Sequence, residues 1–254
     1  MGEKVVIVTG GSNGMGKYMA KKMADEGWNV LITGRNKERL VEAQQEIQGE
    51  NGRVEIFQMD VRVEEHVDGM VQFAHETFGR IDSLINNAAG NFISPAEKLS
   101  FNGWNSVINI VLNGTFYCSS KVGNYWIEQG IKGSIINMVA TYAWNAGAGV
   151  SHSAAAKAGV LSLTRTLAVE WGNKYGIRVN AIAPGPIDKT GGAEKLWTSE
   201  EAAKRTINSI PLKRLGQPEE IADLAHFLLS EKASYINGDC ITMDGGQWLN
   251  QVPF

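Results

Sequence analysis

The sequence predicts one α/β domain in which a doubly wound, seven-stranded parallel sheet is flanked by helices. Three observations point there. Short β-rich runs alternate with longer helical stretches almost from end to end. Runs such as VVIV and SIINM lack polar alternation, as strands buried on both faces do. No low-complexity linker or internal repeat divides the 254 residues, a length that suits one large α/β domain.

The elements follow in order. Strands are predicted over Lys4–Thr9, Asn29–Thr33, Val54–Met59, Leu84–Asn86, Ser134–Met138, Arg178–Ile182 and Cys240–Met243. Helices are predicted over Met15–Glu26, Lys37–Gln48, Glu64–Phe78, Trp104–Gln129, Ser153–Tyr175 and Pro218–Ser230. Right-handed crossovers between parallel strands make this a Rossmann-like arrangement. The stretch Asp188–Pro211 breaks the rhythm with Gly191–Gly192 and one or two amphipathic helical turns. It falls at the carboxyl ends of the strands, where ligands bind, and is a candidate lid.

Composition excludes several classes. A net charge of −3 argues against a non-specific nucleic-acid binder, and no apolar run reaches the ~20 residues of a membrane-spanning helix. Cys118 and Cys240, the two cysteines, have no metal spacing and cannot ligate an iron–sulfur cluster. Nothing indicates flavin or metal. The N-terminus lacks a signal-peptide pattern, so a cytoplasmic protein is expected.

The segment from Val5 to Gly16 reads as strand, glycine-rich turn and helix start, with Gly10, Gly14 and Gly16 around Ser12, Asn13 and Met15. Glycines admit close backbone approach, and a helix N-terminus offers free N–H groups to a pyrophosphate. The end of the second strand selects the cofactor. No acid is available there for a ribose 2′-hydroxyl, whereas Arg35 is placed to pair with a 2′-phosphate, so NADPH is expected over NADH. Asp60 either meets the adenine edge or caps the next turn. The run Asn86–Gly90 suits close passage of a cofactor ribose and equally suits an ordinary loop.

Together TGGSNGMG at 9–16, NNAAG at 86–90, Asn113, Lys157, PGP at 184–186 and DGG at 244–246 resemble the short-chain dehydrogenase/reductase family over nearly the whole chain. The resemblance adds Val61, Asn87, Ala88, Lys157, Pro184, Gly185 and Ile187 to the expected cofactor contacts. One departure is informative. The family carries a proton-donating Tyr four residues before the helical lysine and a Ser thirteen before that Tyr. Those positions here are Ser153 and Ala140. An alcohol is a far weaker acid than a phenol of pKa ~10, so ordinary carbonyl reduction is disfavoured.

Tyr142, fifteen residues before Lys157, is the alternative donor. NNAAGNFISP at 86–95, VLNGTF at 111–116 and the Ser153/Lys157 pair resemble the 2,4-dienoyl-CoA reductase branch. That resemblance implies that Tyr142 and Asn91 hold a thioester oxygen as charge develops on it. It implies that Lys157 binds the nicotinamide ribose and that Asn113 anchors a water or Lys157. Ser153 is left to bind a substrate or cofactor oxygen or to be inert. His152 is read as structural. Trp28 and Trp171 read as packing, and Trp144 and Trp197 as candidate walls of an acyl channel. Lys204, Arg205, Lys213 and Arg214 form a local basic cluster in an acidic protein, which either meets coenzyme A phosphates or is a solvated helix face. An acyl-CoA substrate, a 3-enoyl product and a homotetramer are implied. A trans-2-enoyl-CoA reductase, an alcohol dehydrogenase using Tyr142 and a non-catalytic NADP-binding scaffold are the alternatives.

Overall fold

The computed structural model describes residues 3–47, 52–189 and 200–250. Its seven strands are β1 (Val5–Thr9), β2 (Asn29–Gly34), β3 (Val54–Gln58), β4 (Ser83–Asn86), β5 (Ser134–Met138), β6 (Arg178–Pro184) and β7 (Cys240–Met243). They form one sheet in the order β3-β2-β1-β4-β5-β6-β7, and every pairing is parallel. The order reverses between β1 and β4. At that switch point the outgoing connections diverge to opposite faces and leave a crevice beyond the strand ends.

The helices are α1 (Gly14–Asp25), α2 (Lys37–Ile47), α3 (Glu64–Phe78), α4 (Phe101–Ile108), α5 (Gly114–Gln129), α6 (Ser151–Tyr175), α7 (Glu200–Ser209) and α8 (Pro218–Leu229). One apolar cluster joins Ile7, Leu84 and Ile135 to α3, α5 and α6. A second joins Val8, Ile32 and Ile136 to α1, α2 and α8. β1, β4 and β5 are buried along their whole length. This is why their sequences read as continuous apolar runs rather than alternating ones.

The single helix expected over Trp104–Gln129 is instead α4, a π-helical turn over Asn109–Asn113, and α5. Ser100 caps α4 by accepting a hydrogen bond from Gly103 N at 3.0 Å, so the helix starts three residues earlier than expected. The wide turn coincides with two local events. Asn113 Nδ2 bonds Asn109 Oδ1 at 2.9 Å, and Gly114 packs so tightly that a Cβ would lie 2.6 Å from Val61 Cγ2. The expected lid over Asp188–Pro211 lies partly outside the described residues, as does Trp197. Its described part contains α7, a longer helix than the one or two turns expected.

Candidate active site

The glycine turn after β1 is fastened to the end of β4. Thr9 Oγ1 accepts hydrogen bonds from Asn87 N at 3.0 Å and Ala88 N at 3.1 Å, and Asn87 Nδ2 donates to Thr9 O at 3.1 Å and to Gly10 O at 2.9 Å. Gly10 takes a left-handed φ of 64°, and a Cβ on Gly16 would lie 2.4 Å from both Asn87 Nδ2 and Gly10 O. Gly16 is therefore required by the packing of the protein on itself. The Asn87 side chain is likewise spent on shaping the turn. Deeper in the sheet, Asn86 Nδ2 donates to Ser119 Oγ and Asn137 Oδ1, and Asn137 Nδ2 donates to Thr164 Oγ1, all at 2.9 Å. This buried network aligns the ends of β4 and β5 with α5 and α6. Ser119, Asn137 and Thr164 were not singled out from the sequence, because single polar residues within apolar runs carry no local signal of pairing.

The turn fits a dinucleotide. Asn13, the N-cap of α1, makes no side-chain cap bond, and the first turn holds no acid, so the helix presents bare N–H groups and positive potential. A depression of about 370 Å³ beside it is lined by Ser12, Asn13, Gly14, Lys17, Arg39 and Glu42, among others. Arg35 follows β2 and is exposed. Asp60 is engaged by the protein. It accepts from Arg62 N at 3.0 Å and from the Arg62 guanidinium, which holds its carboxyl below the usual range, with Arg35 adding a smaller electrostatic contribution. The cap is made, and it leaves the carboxylate further acceptor sites. Val61 is buried under Gly114.

On the far side of the crevice, Pro184 ends β6 and Gly185 abuts the turn after β7, where a Cβ would lie 2.5 Å from Asp244 Cβ. Ile187 is 4% exposed and bridges to Gly216. Lys157 is buried on α6 and donates from Nζ to Met138 O at the end of β5. Burial lowers its pKa to about 8. Asn113, in the π-helical turn, donates from Nδ2 to Asn109 Oδ1 at 2.9 Å.

Tyr142 lies in a 3-10 turn over Thr141–Ala143, directly after Ala140. Its hydroxyl is 3.1 Å from Ser153 Oγ. Burial raises the Tyr142 pKa, with the Ser153 hydrogen bond partly opposing it, so the phenol stays neutral and keeps its proton. Ser153 is 1% exposed, and its hydroxyl is the partner of Tyr142, a role the spacing did not reveal. Asn91 is exposed and accepts a bond from Phe92 N at 2.9 Å. A backbone N–H can only donate, so the accepting atom is Oδ1 and the Asn91 NH₂ remains the donor. Trp144, two residues past Tyr142, packs edge-on against Trp248 with ring centroids 5.8 Å apart. The basic cluster is divided. Arg214 forms a two-pronged pair with Glu220 at 2.7 Å and Lys213 bonds Asn208 O, whereas Lys204 and Arg205 are exposed on α7.

A glycine turn at the sheet's switch point, a buried helical lysine and a tyrosine poised against α6 describe a nucleotide-dependent reductase site. A family model described as enoyl-(acyl carrier protein) reductase matches residues 10–247. The chain belongs to the short-chain dehydrogenase/reductase family. Within this family, it is 68% identical over its full length, and that of its relative, to a Bacillus subtilis protein named "Probable 2,4-dienoyl-CoA reductase [(2E)-enoyl-CoA-producing]". It is 40% identical to the peroxisomal 2,4-dienoyl-CoA reductase [(3E)-enoyl-CoA-producing] of Danio rerio, over 99% of this chain and 84% of that one. A crystal structure of a short-chain dehydrogenase from Bacillus anthracis superposes with a TM-score of 0.91 at 66% identity, covering 98% of each chain.

Among the described residues, no group of three or more His, Cys, Asp or Glu side chains is arranged to hold a metal ion. Nor is any described helix long and apolar enough to cross a membrane.

Proposed function

We propose that the protein is an NADPH-dependent 2,4-dienoyl-CoA reductase acting in the breakdown of unsaturated fatty acyl chains. The observation that carries this reading is the Tyr142–Ser153 pair. The serine occupies the position of the family's phenolic acid, and the phenol comes from the turn after β5. When bound, NADPH supplies the hydride. The glycine turn and the α1 N-terminus would hold its pyrophosphate, Arg35 its 2′-phosphate, and Lys157 its nicotinamide ribose.

As C5 of a 2,4-dienoyl thioester is reduced, negative charge spreads through the conjugated system to the thioester oxygen. Tyr142 and Asn91 donate hydrogen bonds there, and the Lys157 ammonium adds positive potential. Donors that are fixed before charge appears need no reorganisation when it does. Protonation of the resulting dienolate at C2 gives a 3-enoyl product, and protonation at C4 gives a 2-enoyl product. The two relatives' names differ on this point. Grouping the polar donors around C1 favours the neighbouring C2, so a 3-enoyl-CoA is the product expected here.

Exposed Phe101 on α4, Phe116 on α5 and Val169 on α6 support assembly through these helices, in keeping with a homotetramer. A cytoplasmic setting accords with an acyl-CoA substrate.

The test is NADPH oxidation with a 2,4-dienoyl-CoA, a 2-enoyl-CoA and a ketone. Turnover confined to the dienoyl-CoA supports the proposal, and preference for the ketone overturns it. Running the reaction in D₂O and locating the deuterium by NMR assigns the product.

A further inference from the structure

We propose that His152 is a positioning residue for Asn91 and acts through the ring of Phe92. The inference rests on the reading of Asn91 as a donor to the thioester oxygen. His152 lies on the first turn of α6 and is fully buried, yet neither ring nitrogen has a hydrogen-bond partner among the described residues. Buried polar atoms are ordinarily paired, so this imidazole is held by shape rather than by hydrogen bonds. Its ring contact is Phe92, with centroids 4.5 Å apart and planes at 75°, the edge-to-face arrangement that aromatic rings prefer.

Phe92 needs such a clamp. Phe92 is 41% exposed, and its ring tip lies over Gly103, where a Cβ would come within 3.0 Å. The same residue's N–H bonds Asn91 Oδ1 at 2.9 Å and so fixes which way the amide turns. Two residues on, Ser94 N donates to Gly149 O at 2.9 Å and ties the loop to the segment leading into α6. A chain of contacts thus runs from His152 to the Phe92 ring, and from the Phe92 N–H to Asn91. The adjacent Ser153 meets Tyr142 directly, hydroxyl to hydroxyl at 3.1 Å. Consecutive residues of one helix therefore set the two donors that converge on one oxygen.

The test is a set of double-mutant cycles in kcat on a 2,4-dienoyl-CoA, with NADPH affinity and melting temperature measured for every variant. His152→Ala and Phe92→Leu should each lower kcat about ten- to a hundredfold, the cost of slightly misplacing a catalytic group. NADPH affinity should stay within about twofold, since the donor is displaced and not the nucleotide turn. Neither change should lower kcat further in an Asn91→Ala background, and both losses should persist in a Tyr142→Phe background. His152→Phe keeps the ring contact and should recover most of the kcat lost in His152→Ala. Losses that remain in full in the Asn91→Ala background overturn the proposal, as does a folded His152→Phe no better than His152→Ala. If His152→Ala does not fold, Phe92→Leu decides alone, because that ring is partly exposed. A wild-type protein inactive on dienoyl-CoA but active on a ketone would remove the functional reading and this inference with it. Additive cycles in an active dienoyl-CoA reductase would remove only the inference.

Discussion

The Tyr142 hydroxyl sits 3.1 Å from Ser153 Oγ, so the residue at the position of the family's usual acid is the partner of the phenol we propose in its place. The two come from different elements, a 3-10 turn after β5 and the first turns of α6. Burial keeps the phenol neutral, and a neutral donor suits a reaction in which charge collects on an oxygen remote from the reduced carbon.

Ser153→Ala should lower kcat on dienoyl-CoA by about fivefold, the worth of one neutral hydrogen bond of ~1 kcal/mol that orients Tyr142. The loss should vanish in a Tyr142→Phe background, because the hydroxyl being oriented is then gone. Steady-state kinetics on the two single variants and the double variant test this. A loss of equal size in both backgrounds would assign Ser153 a role independent of Tyr142.

Arg35→Ala should weaken NADPH binding by about ten- to 150-fold, equivalent to ~1.5–3 kcal/mol for a charge-assisted phosphate contact, and leave NADH binding nearly unchanged. Arg35 is exposed at the end of β2, and the neighbouring Asp60 is already neutralised by Arg62. Fluorescence titration with both cofactors measures it. Equal affinities in the wild type would refute the assignment.

Lys157 gives the protein a pH-dependent stability. Its pKa when folded is about 8, below the ordinary lysine value of 10.5, because burial penalises the ammonium. Between these values the unfolded chain holds a proton that the folded chain has released. The unfolded state binds more protons, and the Lys157 contribution to stability rises with pH across this window. Below about pH 8 the cost of the buried charge is present in full. Lys157→Met should therefore gain stability relative to wild type at pH 7 compared with pH 10. Denaturant melts of the ligand-free proteins at both pH values would show it, and a difference that does not change with pH would count against it.

The fold was legible in the sequence because fully buried parallel strands leave an apolar signature, and β1, β4 and β5 are such strands. The helix boundaries around Asn113 were not legible. The π turn coincides with the tight approach of Gly114 to Val61, a contact between distant segments that no local pattern shows. Tyr142 and Lys157 stood out by motif. The partnership of Ser153 with Tyr142 did not, because Tyr142 lies outside α6 and the turn after β5 brings the two together. Asp60 was read with two roles open, and its pairing with Arg62 two residues on shows the capping one. The basic cluster looked uniform in sequence. In three dimensions Arg214 is committed to Glu220, whereas Lys204 and Arg205 are exposed on α7.

Tyr142→Phe tests the account most directly, because it removes one hydroxyl and keeps the ring. Loss of a preorganised donor to a developing oxyanion costs ~2.7–4 kcal/mol, so kcat on a 2,4-dienoyl-CoA should fall by about 10²–10³. NADPH affinity should be nearly unchanged, since the contact strengthens only as charge develops. A Tyr142→Phe enzyme that turns over dienoyl-CoA at close to the wild-type rate would contradict the account.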